Sequence, residues 1–199
     1  MIRPAIIAIF AASLTACATA PGPVEVTRFI APESASQLGT GTVFVTAATG
    51  IKRSLEDAPY RSAVAQELEA LGYTEGSNTD AAQVAEVSVE RYVMDNGQRR
   101  RGPVSVGVGG STGSYGSGVG LGVGINLGGG GGPKVGTELT VVIRDAASGN
   151  TLWEGRADFA VSEKSDLAQG SANAQTVAKA LFREFPGNNG ETVSVKVSE

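Results

Sequence analysis

Alternating hydrophobic and polar residues divide much of the chain into short strands. One such pattern precedes residue 50, a longer one occupies the middle of the chain, and a pair surrounds a turn at residues 146–150. A last alternating stretch lies near the C-terminus and is short enough for an edge strand. The predicted strands cover residues 24–29, 42–46, 84–93, 138–145, 151–161 and 193–197.

Two other segments have helical periodicity. The first has Asp57 at the N-cap position and Pro59 in its first turn, and Gly72 ends it. The second runs from about Leu167 to Phe185, before Pro186. The apolar stripes of the two helices are Tyr60, Val64, Leu68 and Leu71, and Ala174, Ala178, Leu181 and Phe185.

The order of these elements predicts an α+β fold. Strands, a helix, more strands and a second helix favour a two-layer sandwich, with both helices on one face of a mainly antiparallel sheet. In the strand at 84–93, Glu86, Ser88, Glu90 and Tyr92 are expected on the wetter face. In the strand at 151–161, the expected inward positions are Trp153, Gly155, Ala157, Phe159 and Val161.

A glycine-rich insert at about residues 95–137 interrupts this pattern. Between residues 107 and 136, 15 of 30 residues are glycine. Alternation at 103–136 predicts a β-hairpin excursion whose bare face lets another backbone approach closely. A membrane-inserting hairpin, closed into a barrel by oligomerisation, and an association-prone loop are the alternatives. Candidate interaction residues on its apolar face are Val119, Leu121, Val123 and Ile125.

The same insert begins with a basic run. Arg99, Arg100 and Arg101 are candidates for binding anionic head groups, and a solvated loop is the alternative.

The N-terminus reads as an export signal. Arg3 precedes an apolar run that is too short to span a bilayer, and the run ends at the single cysteine of the chain. The sequence Leu14, Thr15, Ala16, Cys17 resembles the lipobox of bacterial lipoproteins, which implies acylation of Cys17 and cleavage before it. The alternative is an ordinary signal peptide ending near residues 18–20.

This interpretation gives three parts to the chain. They are a signal peptide at 1–16, an acylated cysteine and tether at 17–23, and a single domain at 24–199. Residue 18 is alanine, and the resemblance to enterobacterial sorting therefore implies the outer membrane, with the domain in the periplasm.

Several segments of the domain resemble the DUF4136 lipoproteins. They are residues 65–73, residues 141–145 leading into 152–157, and residues 178–186. The resemblance implies a fold and a location in the cell envelope. The family is uncharacterised, so the resemblance brings no catalytic residues.

Composition excludes several kinds of chemistry. With no histidine, a Ser-His-Asp triad and histidine-ligated metal sites are absent from the chain. One cysteine allows no internal disulfide and no thiolate zinc site, and a net charge of −4 gives no footprint for nucleic acid. Glu86 and Glu90 are about 13 Å apart along a strand, too far for a retaining glycosidase pair. We therefore expect no enzyme, metal or cofactor.

The function expected from the sequence is binding in the cell envelope. The leading hypothesis is a lipid-anchored interaction or scaffold protein, with an envelope protein or a second copy as its partner. The alternatives are an oligomeric membrane-inserting subunit that uses the 103–136 hairpin, and a small-ligand carrier that uses a groove between the helices and the sheet.

Overall fold

The computed structural model describes residues 21–49, 55–95, 98–100 and 132–197. These residues form eight strands, two α-helices and three short 3₁₀ helices, the last at Ala35–Gln37, Leu55–Asp57 and Asp166–Ala168. The main elements are β1 (Val24–Ile30), β2 (Thr42–Ala47), α1 (Ala58–Ala70), β3 (Thr74–Glu75), β4 (Gln83–Asp95), β5 (Gln98–Arg100), β6 (Lys134–Asp145), β7 (Thr151–Ser162), α2 (Gly170–Phe182) and β8 (Thr192–Val195).

All the described strands belong to one sheet. Its order is β3-β2-β4-β6-β7-β1-β8, and β5 also pairs with β4. The strand pairs β4–β5, β4–β6, β6–β7, β7–β1 and β1–β8 are antiparallel, whereas β2 is parallel to both β3 and β4. Parallel neighbours need a crossover, and α1 supplies it between β2 and β4. The α+β class is confirmed, and the sheet is mixed.

The predicted elements are present with shifted limits. Strand β6 begins at Lys134, inside the range that the pattern assigned to the glycine-rich insert. The second helix starts at Gly170 because Gln169 has an extended backbone conformation, which separates α2 from the preceding 3₁₀ turn. Asp57 occupies the N-cap of α1 without a side-chain capping hydrogen bond. Strands β3 and β5 were not predicted.

The core lies between the helices and one face of the sheet. The two helices contact each other, while α1 packs on β2 and β4 and α2 packs on β7 and β1. The predicted helix stripes supply much of this core, although Leu71 and Phe185 are only half-buried. The large buried core side chains contributed by the strands include Val24, Val26, Leu139, Val141, Ile143, Trp153 and Phe159.

Trp153 is the largest fully buried side chain, which confirms its predicted core position. Its ring stacks on Phe182 with centroids 5.5 Å apart and contacts Phe185 at 5.2 Å. The indole Nε1 donates a hydrogen bond of 3.0 Å to the carbonyl of Pro186. A Cβ at Gly155 would lie 2.2 Å from the ring, so the glycine leaves the space that the indole fills.

A buried arginine joins β1 to the C-terminal end of α2. The side chain of Arg28 is 1% exposed. Its guanidinium donates to the carbonyls of Leu181 and Arg183 and, at 2.7 Å, to the carboxylate of Glu191. Cations near a helix C-terminus satisfy its free carbonyls and interact favourably with the helix dipole.

Glu191 is held in its charged form by this network. Hydrogen bonds from the backbone and the side-chain amide of Asn188, followed by that from Arg28, lower the pKa of Glu191 to about 2. Gly187 has a φ of +80°, and a Cβ there would lie 2.3 Å from the Glu191 carboxylate. The segment between α2 and β8 therefore closes tightly around the buried cation.

Tyr92 differs from its predicted position on the wetter face. It points away from the helices, as the alternation requires, but it is only 5% exposed. Its ring covers Gly136 on the neighbouring strand, where a Cβ would lie 2.2 Å from the ring, and it clusters with Met94 and Ala160. A second, smaller apolar cluster thus lies on the face opposite the main core.

Replacing Trp153 with alanine should strongly destabilise the domain. The change removes the aromatic stack and the hydrogen bond to Pro186, with an expected loss of about 3–5 kcal/mol. Domains are typically stable by about 5–15 kcal/mol, so the melting temperature of the variant should be much lower than that of the wild type. Phe29→Ala, at an aromatic residue that is 44% exposed, is the control. A Trp153→Ala protein that melts like the wild type would contradict the core assignment.

Replacing Glu191 with glutamine should remove part of the acid sensitivity of the fold. The folded-state pKa of Glu191 is below its unfolded value of 4.5, so its contribution is complete above 4.5 and is lost as pH falls towards 2. The melting temperature of Glu191→Gln should therefore be lower than that of the wild type at pH 6, and the difference should shrink at pH 3.

Glu69→Gln serves as the control for this titration, because Glu69 is exposed on α1 and lies outside the network. A difference between Glu191→Gln and the wild type that stays constant from pH 6 to pH 3 would show that ionisation of Glu191 does not stabilise the fold.

Candidate binding surfaces

The chain segments that the sequence suggests as interaction sites meet at one end of the sheet. Residues 21–23 enter β1 there, β4 ends there at Asp95, and β6 begins there at Lys134. Met94 and Ser162 lie opposite Lys134 on the strands to either side of it. The backbone N–H of Glu163 donates to the carbonyl of Pro133 at 3.1 Å, which fixes this arrangement. We call this the tether end of the domain.

The predicted interaction residues lie partly within the described chain. Arg99 and Arg100 belong to β5, opposite Met94 and Val93 of β4, and are therefore at the tether end. The other predicted residues lie outside the described residues: Arg101, Val119, Leu121, Val123 and Ile125 of the insert, and Leu14, Thr15, Ala16 and Cys17 of the lipobox.

A groove of about 560 Å³ runs between α2 and the C-terminal strand segment. We call it the α2–β8 groove. Its volume lies within the range of about 300–1,000 Å³ that is usual for small-ligand sites. Its residues come from α1, α2 and the end of β8: Glu67, Gln175, Thr176, Lys179, Ala180, Phe182, Arg183, Val195, Lys196 and Val197.

The α2–β8 groove combines an apolar floor with a positive rim. Ala180 and Phe182 are buried, and Val195 packs against the core. Lys179, Arg183 and Lys196 are exposed along the rim, against the single carboxylate of Glu67. Within the described residues, none of these three cations forms an ion pair. The groove is therefore suited to an anionic group attached to an apolar one.

The sheet face that points away from the helices, here the outer face, is polar and rich in carboxylates. Arg144 donates to Glu86 at 3.0 Å and to Thr151 at 2.8 Å, and Thr49 donates to Glu86 at 2.9 Å. Partial burial opposes ionisation of Glu86, but the hydrogen bonds from Arg144 and Thr49 outweigh it and lower the pKa of Glu86. A shallow cavity of about 390 Å³ surrounds this pair.

A row of carboxylates crosses the outer face. Glu25, Asp158, Glu138 and Glu90 are opposite one another on β1, β7, β6 and β4. The row gives this part of the face four carboxylates at directly opposed positions, where like charges disfavour strand pairing. Such a surface is unsuited to lying flat against anionic lipids.

Two kinds of site were not found among the described residues. No helix there has the length and apolarity to cross a membrane. No group of three or more acidic residues there is placed to hold a metal ion.

The side chain of Ser162 accepts a hydrogen bond from the backbone N–H of Lys164, as in an ordinary turn.

The α2–β8 groove was only partly foreseeable from sequence. A groove between helices and sheet was predicted as a ligand site, but its residues were not. The signals were the four-residue spacing of Lys179 and Arg183 on the last helix, and Lys196 between two valines. Only the pairing of β8 with β1 brings these three cations to one groove.

Comparison with solved structures gives distant matches. The PelC dodecamer from Paraburkholderia phytofirmans is 17% identical, with a TM-score of 0.44, and the match covers 80% of this chain and 94% of that one. A point variant of the same dodecamer gives 16% identity and a TM-score of 0.45. A PDZ domain protein from Parabacteroides distasonis is 11% identical, with a TM-score of 0.48, and the match covers 87% of this chain and 39% of that one.

Comparison with curated proteins gives no significant match. A family model does match the sequence, over residues 33–187. This range contains α1, α2 and every strand of the sheet except the two at its β1–β8 edge. It also contains the three segments that carry the resemblance noted in the sequence, which is thereby confirmed. The chain belongs to the DUF4136 family, a domain of unknown function.

Proposed function

We propose that the protein is a lipid-anchored envelope protein that acts by binding, not by catalysis. In this proposal the domain is a two-layer sandwich, held through acylated Cys17 at the periplasmic face of the outer membrane. The observation that carries the proposal is that the tether and the glycine-rich segment enter the domain at the same end. An anchor at Cys17 then brings both to the membrane surface together.

The length of the tether supports this geometry. Six residues separate Cys17 from Val24, the first residue of β1. At full extension this connection spans about 25 Å. Strand β7 runs the length of the sheet, and its 12 residues extend over about 40 Å. The tether is therefore shorter than the sheet, so it holds the tether end within about 25 Å of the lipid, whereas the far end is able to lie further away.

The positions of the arginines support a role for this end in binding. Arg99 and Arg100 lie at the tether end, and Arg101 follows them in the chain. Basic side chains near an anionic membrane surface contribute about 1 kcal/mol each. In the proposal these residues orient the domain, while the glycine-rich segment contacts an envelope partner or a second copy.

A second candidate function is carriage of a small ligand. The α2–β8 groove favours it, because that groove has a suitable volume, an apolar floor and a positive rim whose cations form no ion pair with the residues that the structure describes. Binding at the groove and contact through the glycine-rich segment use different surfaces and are compatible in one protein.

Replacing Cys17 with serine tests the anchor. Loss of the acyl chains should leave either an unprocessed precursor that keeps its signal segment or a product that is released from the membrane. Membrane fractionation and mass measurement of the wild-type and Cys17→Ser proteins make the test. Ala18→Ser, one position further along, is the matched control and should stay acylated. A wild-type mass without acyl chains, or a Cys17→Ser protein that is cleaved and still sediments wholly with membranes, would contradict the proposal.

Deleting residues 104–130 tests the glycine-rich segment. Loop-closure free energy changes by only about 0.6 kcal/mol per doubling of length, so the shortened connection between β5 and β6 should be tolerated. The deleted protein should melt cooperatively and stay anchored, but it should lose its partner or its self-association in crosslinking experiments on intact cells. Replacing the segment with an equally long Gly/Ser linker separates the effect of its sequence from that of its length.

If the deleted protein loses cooperative melting, the glycine-rich segment is part of the folded core. If it melts normally and retains every crosslinked species, the segment is not the contact surface.

A further inference from the structure

We propose that the α2–β8 groove binds an anionic phospholipid of the leaflet that holds the anchor. This inference extends the second candidate function and names its ligand. The phosphate would lie among Lys179, Arg183 and Lys196, and an acyl chain would lie on the apolar floor beside Val195 and Val197.

The charges specify the head group. Lys179 lies on the exposed side of α2, Arg183 is the residue directly after the helix, and Lys196 lies on the strand side of the groove. Among the described residues, these three cations and one carboxylate, that of Glu67, line the groove. None of the three cations forms an ion pair with another described residue, so an anion would supply charges that this part of the chain leaves unmatched.

The apolar floor of the α2–β8 groove indicates that its ligand is an amphiphile instead of a free anion. Phosphate or sulfate needs only the positive rim, whereas the wall formed by Ala180, Val195 and Val197 offers apolar surface at the same place. The side chains of β8 that face the core pack against the core residues, so the apolar surface of the groove has a fixed position. Burying apolar atoms of a ligand there gives about 25 cal/mol per Å².

The position of the groove specifies the source of the lipid. Val195 pairs with Val24, where the tether enters the sheet. The groove therefore opens beside β1, whose first residue is at most about 25 Å from Cys17. Lipid of the anchoring leaflet is the amphiphile present at that distance.

The experiment is a titration of the detergent-solubilised full chain with phosphatidylglycerol and, separately, phosphatidylcholine of the same acyl composition. Native mass spectrometry counts the bound lipid. Phosphatidylglycerol should bind more tightly than phosphatidylcholine. The double variant Lys179→Ala, Arg183→Ala should weaken phosphatidylglycerol binding about 25-fold, from about five-fold per cation. Both side chains are exposed and alanine suits the helix position of Lys179, so this variant should fold normally, which thermal melting verifies.

Two controls make the result specific. Arg156→Ala, Lys164→Ala removes two exposed cations elsewhere and should leave binding unchanged. Lys179→Arg, Arg183→Lys preserves both charges and should retain the preference for phosphatidylglycerol.

Equal binding of the two lipids would overturn the inference. An equal loss of phosphatidylglycerol binding in the groove variant and in the Arg156→Ala, Lys164→Ala control would overturn it as well. Binding of inorganic phosphate as tight as that of the phospholipid would show an anion site and also overturn it. The titration is done in detergent, so its outcome is independent of whether Cys17→Ser abolishes membrane attachment.

Discussion

The guanidinium of Arg28 ties together segments that are at least 153 positions apart in the sequence. It is buried on the inward side of β1, and its hydrogen bonds reach the end of α2 and the segment that leads into β8. Leaving such a charge buried without its partners is strongly unfavourable, so residues 183–191 have to close over it. This closure places β8 next to β1, and the α2–β8 groove exists because of that placement.

The two ends of the sheet differ in what they carry. The tether end receives the N-terminal segment, both limits of the glycine-rich segment and two of the three consecutive arginines. The far end carries the turn at residues 146–150 between β6 and β7 and the connection at residues 31–41 between β1 and β2. Under the proposed anchor at Cys17, this asymmetry would decide which end meets the membrane. The acidic row across the outer face would then disfavour a domain that lies flat on anionic lipid.

The sequence patterns predicted where the strands and helices lie better than they predicted which strands pair with each other. Alternation specifies which face a side chain takes, and Trp153 is buried as expected. It does not specify strand pairing, so the parallel β2–β4 pair was missed. The side chain of Tyr92 points in the predicted direction, but it is buried, with its ring packed over Gly136 where a Cβ would otherwise lie. Arg28 shares the inward spacing of Val24 and Val26, which signals a buried charge, although no local pattern identifies partners that lie so far along the chain.

The central claim is that the tether end faces the membrane, and a depth measurement tests it most directly. Lys164→Cys places a label at the tether end, and Ser148→Cys places one at the far end; both positions are exposed. A fluorophore at each position, in acylated protein reconstituted into vesicles, is compared for quenching by a head-group-attached quencher. The orientation predicts strong quenching at position 164 and little at position 148. Equal quenching at the two positions, or stronger quenching at 148, would contradict it.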